Sequence, residues 1–428
     1  IGLAILGLFL CGYIIVNFRE ILEQYGVVTG SFQTVLGLLM VLIVLEAARR
    51  MIRPILPTIT LLFLLYALYG HLIPGYFGHV KYDLAQIVGM LYLTTGGIWG
   101  QLTGISANII AIFVFMGAFV GETGGGTGFR LLSIRTSGRL LGGPGKVATV
   151  ASAMFGTISG SASANVVTTG AFTIPMMKKM GFRPPFAAAV EAVASTGGQI
   201  MPPIMGAGAF IMAELTQTPY LKIAVAAFFP AVLYYFTCWV GIHFFAMRDG
   251  LRGLEANELP PWRDTLRAST FFLVPFGFLL VFLILAYTPQ YAAFWATVST
   301  LPLAFFTTEW TWDGRSVLGK IERAIKEGGP QVAMIASICA CAQIIIAILS
   351  HTGLGVKIST TIIDLSGGSL FLTLALTMVT CIVLGMEVPT TAAYIMAVIV
   401  AAPELIQLGV HPFAAHLFVF YFAILSAI

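Results

Sequence analysis

Charge is scarce in this chain. Of its 428 residues only 9% are Asp, Glu, Lys or Arg, against about 25% in soluble globular proteins. Hydrophobic residues make up 58%, and the mean hydropathy is +0.95. A water-soluble domain of this size could not cover its surface with so few charges. The composition therefore indicates an all-α polytopic membrane protein, and the bilayer is its first partner. It excludes a nucleic-acid-binding protein, a disordered chain and a secreted disulfide scaffold. The net charge of +4 is no basic patch, because the 22 Lys and Arg are scattered. Cysteine is also sparse. Cys11, Cys238, Cys339, Cys341 and Cys381 all lie in apolar stretches without metal-ligand spacing, and they read as small buried apolar residues. The chain opens inside an apolar run with no Met and no charged leader, so that run is no signal peptide. Both ends stop within apolar runs and read as cuts in a longer chain.

A bilayer-spanning helix needs about 20 apolar residues. Such runs fall near 1–17, 29–48, 54–73, 105–121, 182–213, 219–246, 268–287, 290–308, 330–350 and 411–428. Segments 144–177 and 367–403 are apolar but broken in the middle, and 83–100 is weaker. Lys and Arg in short loops set orientation. Five loops are basic: Arg49, Arg50 and Arg53; Arg130, Arg135, Arg139 and Lys146; Lys178, Lys179 and Arg183; Arg248, Arg252, Arg263 and Arg267; Arg315, Lys320, Arg323 and Lys326. If all five are cytoplasmic, eighteen of the 22 basic residues lie inside, leaving Arg19, Lys81, Lys222 and Lys357. This makes 83–100 an interfacial or arm helix. It also makes 144–177 and 367–403 re-entrant hairpins that open from opposite faces.

The sequence repeats internally. "GETGGGTGF" at 121–129 parallels "SHTGLGVKI" at 350–358, and Gly156 aligns with Gly385 at the same offset of 229. "MGFRPPFAA" at 180–188 parallels "LGVHPFAAH" at 408–416. Two halves of one fold therefore start near 105 and 330, with opposed hairpins. Inverted repeats with discontinuous helices mark secondary transporters that bind substrate near the midplane. Ile428 falls level with Ile200, just short of where a second Pro-rich break would stand, so the full chain is expected to continue.

The broken segments carry the chemistry. Hairpin one has the tip "GTISGSASANVVTTG", 156–170, with Ser159, Gly160, Ser161, Ser163 and Asn165 together. At a helix break the backbone loses its i−4 partners. Freed carbonyls with Ser, Thr and Asn oxygens suit a hard cation such as Na⁺, and freed amides suit a carboxylate. A packing seam of small residues, with hydroxyls bonded to the i−4 carbonyl, is the alternative. Hairpin two has "GMEVPTTAAY", 385–394. Pro389 breaks the helix, Thr390 and Thr391 open the next one, and Glu387 could ligate a cation, carry a proton or pair structurally. "STGGQIMPPIMGAG", 195–208, interrupts the span 182–213 and would face hairpin one. Glu191 reads equally as a polar contact in the bundle or a ligand. "GETGGGTGF" follows no strand, "LLGGPGKV" lacks a P-loop's first Gly and its Ser or Thr, and no His pattern forms a metal or catalytic set. His416, in a span, could pair with a carboxylate or simply pack. No cofactor and no enzymatic activity are expected.

The stretch "GTISGSASANVVTTGAFTIPMMKKMGFRPPFAAAVEAVASTGGQIMPPI" and "GMEVPTTAAYI" resemble the large membrane subunit of tripartite ATP-independent periplasmic (TRAP) transporters. The fused N-terminal spans and the Asn165 region resemble the 4TM/12TM permeases of the TAXI subgroup. The resemblance implies this layout: 1–53, small-subunit-like helices cut at the N-terminus; 54–104, the first scaffold span and arm helix; 105–246, the first inverted repeat with hairpin one; 247–329, scaffold spans and cytoplasmic linkers; 330–428, the second repeat with hairpin two, cut at the C-terminus. It implies an elevator in a bacterial or archaeal cytoplasmic membrane. Na⁺ would drive uptake of a small organic carboxylate delivered by a periplasmic binding protein. One Na⁺ region would be Ser159, Gly160 and Ser161 with Thr196, Gly197 and Gly198. A second would be Gly385 and Val388 with a break beyond the chain. Substrate would lie near Ser163, Asn165, Glu387, Thr390 and Thr391. A stand-alone Na⁺/di- or tricarboxylate elevator symporter, without a binding protein, is the alternative.

Overall fold

The computed structural model describes residues 2–51, 54–386 and 390–425. Among them all regular structure is helical, apart from one isolated bridge between Phe306 and Trp312. Among the described residues seven helical tracts are long and apolar enough to cross a membrane: Ser31–Met51, Ile55–Leu72, Gln101–Ser137, Tyr220–Asp249, Trp262–Ile284, Val317–Thr352 and Thr390–Gln407. Their outer faces are apolar. On Tyr220–Asp249 the rings of Phe228, Phe229, Phe236 and Phe244 are all exposed. In water this would be a large adhesive patch, whereas acyl chains solvate it. The protein is a multi-pass, all-α membrane protein.

Two tracts are longer than the sequence suggests. A span was expected over 105–121, but Gln101–Ser137 is one helical tract that runs through the glycine-rich "GETGGGTGF". Its only kink is at Gly124, with φ +116, where a Cβ would stand 2.7 Å from Thr308 Cγ2. Glycine lowers helix propensity, yet here it lets Trp262–Ile284 approach: a Cβ on Gly128 would lie 2.7 Å from the Ala268 carbonyl oxygen. Likewise Val317–Thr352 takes in Lys320, Arg323 and Lys326, expected in a linker ending at 329. Lys320 is accommodated by donating to the carbonyls of Ala304 (2.8 Å) and Phe306 (3.2 Å). Segment 83–100 forms the short helical stretch Leu84–Leu93, then leaves helical geometry at Thr94.

The chain folds as two compact units. One is built from the described residues of Ile1–Ala107 and Val332–Ala427, the other from Asn108–Gln331. In the first unit Gln343 ties the long helix to the turn at 94–100. Its Oε1 accepts from the Leu102 amide (3.0 Å), and its Nε2 donates to the Gly96 carbonyl (3.3 Å). Hairpin two is also here: Leu370–Gly385 packs on Thr390–Gln407, and both pack on Pro412–Leu425. Among the described residues His416 meets no carboxylate. Its Nδ1 lies 2.8 Å from the Tyr394 hydroxyl. The second unit holds hairpin one, whose arms Gly143–Ser159 and Ala162–Lys179 are joined by Gly160 and Ser161 alone. Lys146, counted with the basic loops, is buried in the first arm. Its ammonium sits 3.2 Å from His243 Nδ1 and 5.0 Å from the centre of the Trp239 ring.

Candidate functional site

Hairpin one turns on two residues because each meets a local demand. Gly160 closes the first arm in the left-handed conformation (φ +56, ψ 12), which glycine enters without a Cβ penalty. Ser161 opens the second arm in extended geometry, and its hydroxyl accepts from the Ala164 amide at 3.4 Å. The Ser161 amide in turn donates to Ser159 Oγ at 3.4 Å. Ser159 and Ser161 are half-buried, and Ser163 is exposed one turn further on.

The tip seats against a second break. Pro184–Gly197 ends at Gly197, and Ala207–Leu215 begins ten residues later, after Gly206. Between them the chain first tightens. The amides of Gly198, Gln199 and Ile200 each reach back three residues, at 3.1 Å. Pro202 and Pro203 then supply no donors, so the helix cannot continue. Met205 (φ +53) and Gly206 (φ +67) turn the chain into the next helix. Tyr220 holds this strand in place, its hydroxyl donating to the carbonyls of Pro203 and of Ile204 (3.0 Å). Glycines let the two breaks touch. A Cβ on Gly156 would stand 2.3 Å from Gly198 Cα, and one on Gly160 2.2 Å from the Gly206 amide nitrogen. So Gly160 meets Met205 and Gly206 of the unwound segment, and Gly156 meets Gly198 at its start.

Not every candidate residue offers free atoms. Thr196 donates to the Ala192 carbonyl at 2.9 Å. Asn165 is fully buried, and its Nδ2 bridges the carbonyls of Ser152 (2.9 Å) and Ser195 (3.3 Å). It ties both arms to the helix that unwinds. Gly385 and Thr391 are buried in the other unit, where Thr390 opens its helix. Glu387 and Val388 lie outside the described residues. Among the described residues no group of three or more His, Cys, Asp or Glu could hold a metal ion. The donors at the tip are hydroxyls and backbone carbonyls, which suit a hard monovalent cation better than a transition metal.

One group stands out that the sequence left undecided. Glu191 is 1% exposed. Its Oε1 accepts from Thr169 and from Ser195 (3.0 Å), and its Oε2 from Thr173. Thr169 and Thr173, like Glu191 and Ser195, are four residues apart, so each pair shares a helix face. That spacing was the signal, but only the packing shows that the two faces meet.

Comparison with known proteins agrees with this architecture. Residues 39–428 match the family model described as the tripartite ATP-independent periplasmic transporter, DctM component. The C4-dicarboxylate TRAP transporter large permease protein DctM of Pseudomonas aeruginosa is 26% identical over 311 residues, 71% of this chain and 69% of that protein. The ectoine/5-hydroxyectoine TRAP transporter large permease protein UehC of Ruegeria pomeroyi is 27% identical over 196 residues, 45% of each chain. The isethionate TRAP transporter permease protein DctMQ of Oleidesulfovibrio alaskensis is 39% identical over 97 residues, 22% of this chain and 15% of that one. The match thus spans about two thirds of the first relative's length and less than half of the other two. With the family model covering most of its length, the chain belongs to the DctM-component family of tripartite ATP-independent periplasmic transporters.

Proposed function

We propose that this chain is the permease of a secondary active importer of a small organic carboxylate, driven by the Na⁺ gradient. A periplasmic binding protein delivers the substrate, and the membrane is the bacterial cytoplasmic one. The observation that carries the reading is the contact between the hairpin-one tip and the unwound segment 198–206. There Gly160 lies against Gly206, and Gly156 against Gly198; in this reading Ser159, Gly160 and Ser161, with Thr196, Gly197 and Gly198, make the first cation region. Such paired breaks present oxygens to a cation and helix N-termini to a carboxylate. The relatives named for C4-dicarboxylates, ectoine and isethionate favour a small organic solute with an acidic group. Hairpin two, with Gly385 and Val388, would supply a second cation region, and Ser163, Asn165, Glu387, Thr390 and Thr391 are the proposed substrate residues. Elevator-type alternating access is the transport mode of this reading. Residues 1–53 read as small-subunit helices of a fused, TAXI-type permease.

The test is uptake by proteoliposomes holding the full chain, with a panel of labelled C4-dicarboxylates and a soluble binding protein encoded beside it. Uptake should require an inward Na⁺ gradient and collapse when choline replaces Na⁺. Na⁺-driven uptake that needs no binding protein would favour the stand-alone symporter. Uptake indifferent to Na⁺ would overturn the coupling.

A further inference from the structure

Among the described residues Glu191 has no cationic partner: no Lys, Arg or His nitrogen lies within 4.0 Å of its carboxyl oxygens. On the first arm of hairpin one, the Lys146 ammonium faces His243 and Trp239 instead. On the second arm the ionisable groups are Lys178 and Lys179, exposed in its last turn. From Tyr220–Asp249 the facing groups are Tyr234 and Tyr235, whose hydroxyls donate to the carbonyls of Val193 (2.7 Å) and Ala194 (3.2 Å). That helix also carries His243 and Cys238 along its length, and Lys222, Arg248 and Asp249 in its end turns. On the helix of Glu191 itself the nearest charge is Arg183 at its start, 3.9 Å from Asp249.

The partners Glu191 does have are all hydroxyls, and hydroxyls work in both directions. Against an ionised carboxylate, Thr169, Thr173 and Ser195 donate to it. Against a carboxylic acid, they turn. Thr169 has a second acceptor in the Asn165 carbonyl at 2.8 Å, and Thr173 one in the Thr169 carbonyl at 2.9 Å. The freed lone pair of Thr173 then accepts the carboxyl proton. Ser152 closes the set, 3.2 Å from Thr169 Oγ1 and 3.4 Å from Ser195 Oγ. A site built to keep a buried charge uses one-way donors such as backbone amides or Arg. This one satisfies its hydrogen bonds in either protonation state.

We propose that Glu191 is a proton-binding site, loaded in the absence of Na⁺ and discharged when Na⁺ occupies the hairpin-one tip. The linkage runs through residues on the page. Thr169 shifts its proton between Asn165 and Glu191, and Ser195 is anchored by Glu191 at the point where its helix unwinds. A cation at the tip favours the ionised carboxylate, so Na⁺ and H⁺ oppose each other, and each weakens the other's binding by the same factor. The proton makes a second coupling ion, exchanged inside the second compact unit.

The inference rests on the tip binding Na⁺, and the experiment separates the two. NaCl, with choline chloride as control, is the probe on the purified full chain, and the readout is thermal stabilisation as a function of Na⁺ concentration. Acidification from about pH 8 to about pH 6 should raise the half-saturating Na⁺ concentration, by up to about tenfold per pH unit if the exchange is one for one. In Glu191→Gln the half-saturating concentration should not move with pH. Equal pH dependence in both proteins overturns the proposal. Should that variant fail to fold, infrared difference spectra of the wild type decide. Na⁺ should abolish a carboxylic-acid C=O band, and an unchanged carboxyl region overturns it. Absence of Na⁺ stabilisation at every pH would instead sink the Na⁺ reading. The proton site would then be judged by whether acidification alone raises that band in the wild type and not in Glu191→Gln.

Discussion

Gly156 and Gly198 meet backbone to backbone. A Cβ added to Gly156 would stand 2.3 Å from Gly198 Cα, and one added to Gly198 would stand 3.0 Å from Gly156 Cα. The first residue lies on an arm of hairpin one, the second at the start of the unwound segment, so this contact sets how closely two helix breaks approach. Gly156→Ala should therefore force them apart. We expect a loss of about 1–3 kcal/mol of stability, typical of overpacking in a close-packed interior, and a weaker response to Na⁺. Gly160→Val should do more, since it adds a branched side chain at φ +56 against the Gly206 amide. Gly241→Ala is the control, on an exposed helix position with nothing within 4 Å of the new Cβ. It should be neutral or stabilise by up to about 1 kcal/mol. Melting curves of the three purified variants, with and without NaCl, check this ordering.

Asn165 gives the second expectation. Its amide nitrogen is spent on the carbonyls of Ser152 and Ser195, deep in the bundle. Asn165→Asp replaces that donor with an oxygen and sets it against two carbonyls. Stability should fall by about 1–3 kcal/mol for each carbonyl stranded, and substrate affinity of the surviving protein should change less than its abundance. A variant that is stable yet loses substrate affinity would place this side chain at the substrate instead. Ser163, exposed on the next face, is the better probe of substrate contact.

The two breaks could be read in the sequence because they rest on local chemistry. Gly160 followed by Ser161 spells a left-handed stop and an N-cap, and Pro202 with Pro203 removes two successive donors. Helix length was less legible. Gly121, Gly124, Gly125 and Gly126 look like the end of a span, but the helical tract runs on past them with a kink at Gly124, and two residues beyond, at Gly128, the backbone of Trp262–Ile284 comes close. The Glu191 network was least legible. Its members lie on hairpin one and on the following helix, and nothing local says that Thr169 and Thr173 face Glu191. Glu387 and Val388, singled out from the motif, lie outside the described residues.

Gln343 makes a prediction for the other compact unit. It is 5% exposed and serves one donor and one acceptor of a turn that has left helical geometry. Gln343→Leu keeps the volume but strands the Leu102 amide and the Gly96 carbonyl. Each buried, unmatched group costs about 1–3 kcal/mol, so the variant should be among the least stable single changes in this unit. Gln343→Glu should also destabilise, because one oxygen still accepts from Leu102 but the other is set against the Gly96 carbonyl. If Gln343→Leu melts with the wild type, the hydrogen bonds contribute little.

Arg139 and Lys178 flank hairpin one, and both are exposed. If the hairpin enters and leaves by one face, single cysteines at the two positions should react with a membrane-impermeant maleimide from the same side of oriented vesicles. Lys146 separates exposure from sidedness. It lies between them in sequence but is 3% exposed, with its ammonium held by His243 and Trp239. Lys146→Cys should therefore label at least tenfold more slowly than the other two, whichever side is probed, a margin of about 1.4 kcal/mol in local opening. Fast labelling at position 146 would mean that the base of the first arm opens to water. Labelling of Arg139→Cys and Lys178→Cys from opposite sides would make 144–177 a true crossing, and the two breaks would then meet across a different part of the bilayer.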